Sequence, residues 1–96
     1  MKPSETLVLH REQIRAAVER HRLRNPRVFG SARRGEDSDG SDLDLLVDAG
    51  EGATLFDLAA AEAEIEAITG TRVDLMTPGF LPKRWRMRAL EEAVPL

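Results

Sequence analysis

The chain has 96 residues, no cysteine and a formal net charge of −3. This length is below that of an average domain, so we predict a single domain over residues 1–96. The lack of cysteine excludes disulfides, thiolate zinc sites and cysteine nucleophiles. No apolar run reaches the ~20 residues of a membrane span, and the N-terminus lacks a signal-peptide pattern, so we expect a cytoplasmic protein.

The charges are unevenly distributed along the chain. Residues 1–34 contain nine Lys or Arg and three Glu, whereas residues 35–81 contain one Arg and twelve Asp or Glu. The acidic middle is suited to cations, and the basic flanks are suited to phosphates. Because the overall charge is negative, we interpret the first helix's arginines as a solvated face and do not expect direct nucleic-acid binding.

The first half of the chain predicts a helix and two strands. Apolar residues at helical spacing predict a first helix over residues 7–23, which Asn25-Pro26 would end. A short strand is predicted over residues 27–29. The next strand, over residues 42–48, becomes continuously apolar in its second half, as in strands that are buried on both faces.

The second half predicts a helix, a strand and a last helix. Thr54 is a candidate N-cap for a helix over Leu55–Thr69, and Gly70 is suited to its C-terminal end. A third strand is predicted over residues 71–77, and a last helix over residues 82–93. We therefore expect an α/β (α+β) fold with a small mixed sheet of three to four strands and helices packed on it.

Three aspartates lie where folding alone does not favour a charge. Asp42 and Asp44 are two residues apart on a predicted strand, so their side chains share one face. Asp74 is a lone acid in the apolar third strand. If the second and third strands are neighbours, the three carboxylates converge, and carboxylate oxygens are ligands that hard cations prefer. The alternative is that these acids mark solvent-facing positions of an amphipathic sheet.

The remaining acids and the aromatic residues receive ordinary structural interpretations. The loop and strand-end acids are expected to be solvated, and they are Asp37, Asp39 and Asp48. The aromatic side chains are expected in the core, and they are Phe29, Phe56, Phe80 and Trp85. On the last helix, the inward-facing residues are expected to be Trp85, Ala89, Leu90 and Val94.

A Gly-Ser pair follows the first strand, where a turn is predicted. Gly30 allows the backbone to approach a ligand closely, Ser31 adds a hydroxyl, and the N–H groups of such a turn can bind an anion. Arg33 and Arg34 follow with charges that can pair with phosphate oxygens. By itself, a Gly-Ser pair is equally consistent with an ordinary turn.

The combined spacing is more specific than any of its parts. Ten residues separate Ser31 from Asp42, so the chain contains Gly-Ser, ten residues, Asp-x-Asp and a later strand with one Asp. This pattern resembles the polymerase-β-like nucleotidyltransferase superfamily, and residues 29–47 closely resemble its minimal branch, the MNT domains. That branch often has a small residue at the position of Arg33, and we interpret this departure as a solvated side chain.

The resemblance implies a nucleotidyltransferase-like fold and Mg²⁺-dependent transfer of a nucleoside monophosphate, AMP from ATP being favoured, to a hydroxyl. It assigns catalysis and the binding of two Mg²⁺ ions to the acids, and the binding of the triphosphate to the Gly-Ser segment. The acids are Asp42, Asp44 and Asp74. The residues that bind the triphosphate are Gly30, Ser31 and Arg34.

A domain of this size cannot enclose both a nucleotide and an acceptor, so we expect a macromolecular acceptor. MNT domains are often antitoxins that adenylylate a HEPN ribonuclease toxin, so the resemblance implies a HEPN toxin as partner, in a homo- or hetero-oligomer. Two alternatives stay open. One is a non-catalytic module that neutralises a toxin by binding it, and the other is a small-molecule nucleotidyltransferase that acts as an oligomer.

Overall fold

The computed structural model describes residues 1–96 as one four-stranded sheet with five α-helices. A 3-10 turn, Pro78–Phe80, precedes the last helix. No helix combines the length and the hydropathy that crossing a bilayer requires. The elements, in chain order, are α1 Pro3–Leu9, α2 Arg11–Arg20, β1 Leu23–Phe29, α3 Gly30–Arg34, β2 Leu43–Ala49, α4 Leu55–Thr69, β3 Val73–Met76, α5 Lys83–Glu92 and β4 Val94–Pro95.

The sheet is mixed, as predicted. Its strand order is β3-β2-β1-β4, with β2 parallel to β3 and β1 antiparallel to both β2 and β4. The parallel pair requires a crossover connection, which α4 supplies. Helices α2 and α4 pack against each other and on the strands, where they enclose the apolar core.

The alternation of side chains along β2 separates the core from the candidate site. Leu43, Leu45 and Val47 are fully buried in the core cluster. Asp44 and Leu46 therefore point to the opposite face of the sheet. Leu46 is also fully buried, which confirms that the second half of this strand is covered on both faces.

The predicted helix over residues 7–23 is wrong in its bounds. Helix α1 begins earlier, with Pro3 at a first-turn position, and His10 separates it from α2. Helix α2 ends at Arg20 because Arg22 adopts a left-handed conformation, with φ of 63°. Arginine rarely adopts this conformation, so no residue type marks the end of the helix in the sequence.

The first strand is longer than predicted, and it contains the dipeptide that was expected to stop a helix. Asn25, with φ of 55°, and Pro26 lie where the register of β1 against β2 shifts between Arg24 and Arg27. Proline lacks an N–H donor, and a bulge is one of the places in a sheet that tolerates it.

Helix α4 has the predicted bounds and the predicted ends. The Asp57 N–H donates to Oγ1 of Thr54 at 3.3 Å, and the Thr54 N–H donates to Oδ2 of Asp57 at 2.8 Å.

Two acids that no sequence pattern singled out connect helix α4 to the edge strand β3. Glu62 accepts the Leu75 N–H at 2.9 Å, and Glu66 accepts the Val73 N–H at 3.0 Å. These contacts satisfy donors that an edge strand leaves open.

The last helix buries less than expected. Ala89 is buried as predicted, but Trp85 and Leu90 are 47% and 46% exposed, and Val94 lies in β4. Phe56 and Phe80 are also exposed, so the expectation that the aromatic residues form the core is wrong for them. None of the helices and strands described above covers these side chains.

Two of the three acids expected to be solvated are held by other residues. Asp37 is buried and accepts the Ser4 N–H at 2.7 Å, which connects the loop before β2 to the first turn of α1. Asp48 pairs with the buried Arg27 at 3.1 Å. These hydrogen bonds hold the pKa of each carboxyl below its ordinary value, although burial opposes the effect. Asp39 is exposed, as predicted.

We expect Gly50→Ala to destabilise the protein by about 2 kcal/mol, the scale of a forced backbone shift. The Gly50 N–H donates to the carbonyl of Arg22 at 2.8 Å, and a Cβ at Gly50 would lie 2.4 Å from that oxygen. Urea denaturation measures the loss. Gly40→Ala is the control, because a Cβ at Gly40 has nothing within 4 Å. Equal midpoints for the two variants would contradict the prediction.

Candidate active site

Two of the predicted acidic residues lie side by side on adjacent strands. Asp44 of β2 is in register with Asp74 of the parallel strand β3. Their neighbours Leu43, Leu45 and Leu75 are buried in the core, so both carboxylates lie on the opposite face of the sheet. Asp42, the residue before β2, has the same parity along the chain.

The electrostatics of this face are unfavourable without a counter-charge. The pKa of Asp44 is raised to about 6. The causes are its partial burial, the charge of Asp74 together with the hydrogen bond that Asp74 accepts, and the charge of Asp42. Arg34 opposes this effect but does not cancel it. Like charges this close disfavour joint ionisation, and a bound cation would remove the conflict.

The third predicted acid is less closely associated with this pair. Oδ1 of Asp42 lies 3.8 Å from Nε of Arg72. No three acidic or histidine side chains in the chain form a group close enough to hold a metal ion in the present side-chain positions. The structure thus brings Asp44 and Asp74 together, whereas Asp42 acts on Asp44 only through its charge.

The predicted Gly-Ser turn is instead the start of a short helix. Gly30 and Ser31 open the five-residue α3, and Gly35 follows its last residue in a left-handed conformation. Gly30 has φ of 72°, and a Cβ there would lie 2.2 Å from Oδ2 of Asp44. Backbone conformation and space therefore both require glycine, and the absence of a side chain lets the chain pass directly beside a site carboxylate.

Gly30→Ala is expected to cost about 3 kcal/mol, because a left-handed strain and a steric overlap add together. Gly35→Ala is the matched control, since Gly35 has φ of 73° but a Cβ there would have nothing within 4 Å. We expect the control to lose only about 1 kcal/mol, the left-handed strain alone. Thermal and urea denaturation measure both values. A Gly30→Ala loss no larger than that of Gly35→Ala would refute the close approach to Asp44.

Arg34 lies between two acids, one of which sequence reasoning missed. Its guanidinium pairs with Glu36 and with Oε1 of Glu92, at the end of α5. Oε2 of Glu92 also accepts the Gly30 N–H at 3.2 Å. Glu92 is about sixty residues away in sequence, so no local pattern marked it. Arg33 is exposed, as predicted, but its Nε donates to the Glu92 carbonyl at 3.1 Å.

A cavity of about 250 Å³ opens beside these groups. Its apolar lining includes Phe29 and Trp85, which approach from β1 and α5. Although the aromatic residues are scattered along the sequence, the fold brings these two to one cavity. The other lining residues are Gly30, Arg34, Leu81, Arg88, Ala89 and Glu92.

Comparison with known sequences supports the resemblance. Residues 10–96 match the model of the nucleotidyltransferase domain family. The protein adenylyltransferase MntA of Thermococcus cleftensis is 38% identical over 88 residues, which are 92% of this chain and 86% of that protein. The candidate protein adenylyltransferase MJ0435 of Methanocaldococcus jannaschii is 37% identical over 75 residues, which are 78% of this chain and 81% of that protein.

Comparison with solved structures gives the same family. The structure of a candidate minimal nucleotidyltransferase superposes with a TM-score of 0.86 at 44% identity, covering 97% of this chain and 95% of that one. A toxin–antitoxin crystal structure with AMP-PNP superposes with a TM-score of 0.75 and covers 88% of this chain and 69% of that one. At 16% identity, the toxin–antitoxin structure shows a similar fold only. The extent of the family match and the identity to its relatives show that this chain belongs to the nucleotidyltransferase domain family and is a nucleotidyltransferase.

Proposed function

We propose that this protein transfers AMP from ATP to a side-chain hydroxyl of a partner protein, in a reaction that requires Mg²⁺. The observation that carries the proposal is the Asp44–Asp74 pair on one face of the sheet, with the Gly30 backbone directly against Asp44. Phosphoryl chemistry depends mainly on positioning and charge neutralisation, so a small domain with these groups is sufficient.

The triphosphate would lie at the start of α3. The Gly30 and Ser31 N–H groups and the Ser31 hydroxyl would donate to phosphate oxygens, and Arg34 would add a charge-assisted contact. Gly30 is part of the candidate site because a Cβ there would overlap Oδ2 of Asp44. The cavity between Phe29 and Trp85 adjoins this point and would take the nucleoside, since aromatic faces stack on bases.

The acids of the site fit Mg²⁺ by their chemistry. Asp42, Asp44 and Asp74 would provide carboxylate oxygens, which are hard ligands. The raised pKa of Asp44 reflects burial and the charges of Asp74 and Asp42, and a bound cation would offset these effects. One or two bound Mg²⁺ ions would neutralise the triphosphate and polarise its α-phosphorus.

The group transfer itself exchanges one bond at the α-phosphorus for another. Asp74 would orient the acceptor hydroxyl and take its proton as the new oxygen–phosphorus bond forms. The bond from the α-phosphorus to the bridging oxygen then breaks, and pyrophosphate leaves. Asp44, half-buried beside Gly30, would hold the triphosphate end of the arrangement in place.

The acceptor is proposed to be a HEPN-type toxin that pairs with this chain. The 38% identical relative is a protein adenylyltransferase, and a fold neighbour was crystallised as a toxin–antitoxin pair. The exposed apolar side chains near the candidate site could contact such a partner, and they are Phe80, Trp85, Met87 and Leu90.

Transfer of label tests the proposal. The purified protein is mixed with Mg²⁺, each α-labelled NTP in turn, and a HEPN-type toxin that it binds. We expect a labelled toxin band with ATP and loss of toxin activity. A toxin that is bound and neutralised without nucleotide would instead favour the non-catalytic module. Label on a small molecule would favour a small-molecule nucleotidyltransferase.

A further inference from the structure

The groups proposed to hold the triphosphate already hold a negative charge from the protein itself. The Glu92 carboxylate receives the Gly30 N–H through Oε2 and the Arg34 guanidinium through Oε1. Although burial opposes its charge, hydrogen bonds from Arg34 and from the Gly30 N–H hold the pKa of Glu92 below its ordinary value. Glu92 is therefore an anion near neutral pH, held by a backbone N–H and a guanidinium as a phosphate oxygen would be.

These contacts create a competition at the Gly30 N–H, because a single N–H donor cannot bond fully to both the Glu92 carboxylate and a phosphate. The like charges of a phosphate and Glu92 would also repel at this distance. On the basis of the proposed function, we propose that Glu92 is a built-in competitor of the nucleotide, which the triphosphate displaces when it binds. The site is then self-inhibited until nucleotide reaches a sufficient concentration.

Displacement of Glu92 would also change how the rest of α5 is held against α3. In this structure the end of α5 is held to α3 by three contacts, two through the Glu92 side chain and one from Arg33 to the Glu92 carbonyl. A phosphate would replace the first two and leave the third. Trp85, the single tryptophan, lies on α5 and lines the cavity beside Gly30, so its fluorescence with tripolyphosphate, which has no base to stack on the indole, reports on this displacement.

The test compares Glu92→Gln with Glu91→Gln, each titrated with ATP and with inorganic tripolyphosphate in the presence of Mg²⁺. Both variants lose one negative charge from the end of α5, but Glu91 is exposed and contacts neither Gly30 nor Arg34. Removing the competitor raises the fraction of competent sites, so Glu92→Gln is expected to bind both ligands at least about threefold more tightly than Glu91→Gln. Glu92→Ala also removes the hydrogen bonds, and it is likewise expected to bind both ligands more tightly than Glu91→Gln.

The outcomes separate this inference from the proposed function. If the wild-type protein binds ATP but both Glu92 variants bind it no more tightly than Glu91→Gln, Glu92 is a positioning residue for Arg34 and the competition is refuted. If neither the wild type nor any variant binds ATP, the proposed function fails, and the inference fails with it. Tighter binding of tripolyphosphate as well as ATP would place the competition at the phosphate groups.

Discussion

Asp44→Asn is expected to reduce adenylyl transfer by at least about a thousandfold, the scale of losing a charge-stabilising group in an active site. The substitution keeps the size of the side chain and removes the negative charge beside Asp74 and Gly30. Single-turnover transfer of labelled AMP from α-labelled ATP to the proposed partner measures the loss. Because the backbone and the core around β2 are unchanged, the variant is expected to remain folded and to retain its partner.

Asp39→Asn is the matched control for this loss. Asp39 is an exposed acid in the loop before β2, and its replacement removes the same charge outside the site. Transfer by the control is expected to stay within about twofold of the wild type, since surface substitutions of this kind have small effects. Full transfer by Asp44→Asn would contradict the assignment of Asp44, and an equal loss in both variants would indicate a general effect of charge.

The same Asp44→Asn variant is expected to be more stable than the wild type at pH 7 without metal. The folded protein raises the pKa of Asp44 from 3.8 to about 6, so its charge opposes folding at neutral pH. The full shift overstates the effect for a carboxyl that is partly exposed, and we expect a gain of about 1 kcal/mol. Urea denaturation in EDTA measures this difference.

The sign of the pH dependence follows from the direction of the shift. The folded state binds the Asp44 proton more tightly than the unfolded state, so the contribution of this residue to stability increases as pH falls through about 6 and is complete below 3.8. The advantage of Asp44→Asn should therefore shrink between pH 7 and pH 4, and excess Mg²⁺ at pH 7 should reverse the order. An advantage that is constant over this range, or a more stable wild type in EDTA at pH 7, would contradict this assignment of the raised pKa.

Local signals in the sequence were sufficient for much of the fold and for part of the candidate site. Helix α4 was predictable because its ends depend on neighbouring residues, the Thr54–Asp57 capping pair and Gly70. The shared face of Asp44 and Asp74 followed from alternation along two strands that the fold places in parallel.

The rest depends on conformations and contacts that no local pattern encodes. Helix α2 ends close to an arginine that adopts a left-handed conformation, and the Asn25-Pro26 dipeptide forms a bulge instead of a helix stop. Asp37 and Glu92 owe their roles to partners thirty or more residues away, Ser4 in the first case and Gly30 in the second. Such contacts become visible only when the chain is folded.

The proposed reaction passes AMP from ATP to a hydroxyl of a partner protein, and the position of the retained label distinguishes this transfer from other phosphate transfers. Parallel reactions contain the proposed partner toxin, Mg²⁺ and ATP labelled at either the α- or the γ-phosphate. We predict label on the toxin from α-labelled ATP alone, a mass increase of one adenylyl group per modified hydroxyl, and release of pyrophosphate. Label transferred from the γ-phosphate, or a neutralised toxin without label, would contradict adenylyl transfer.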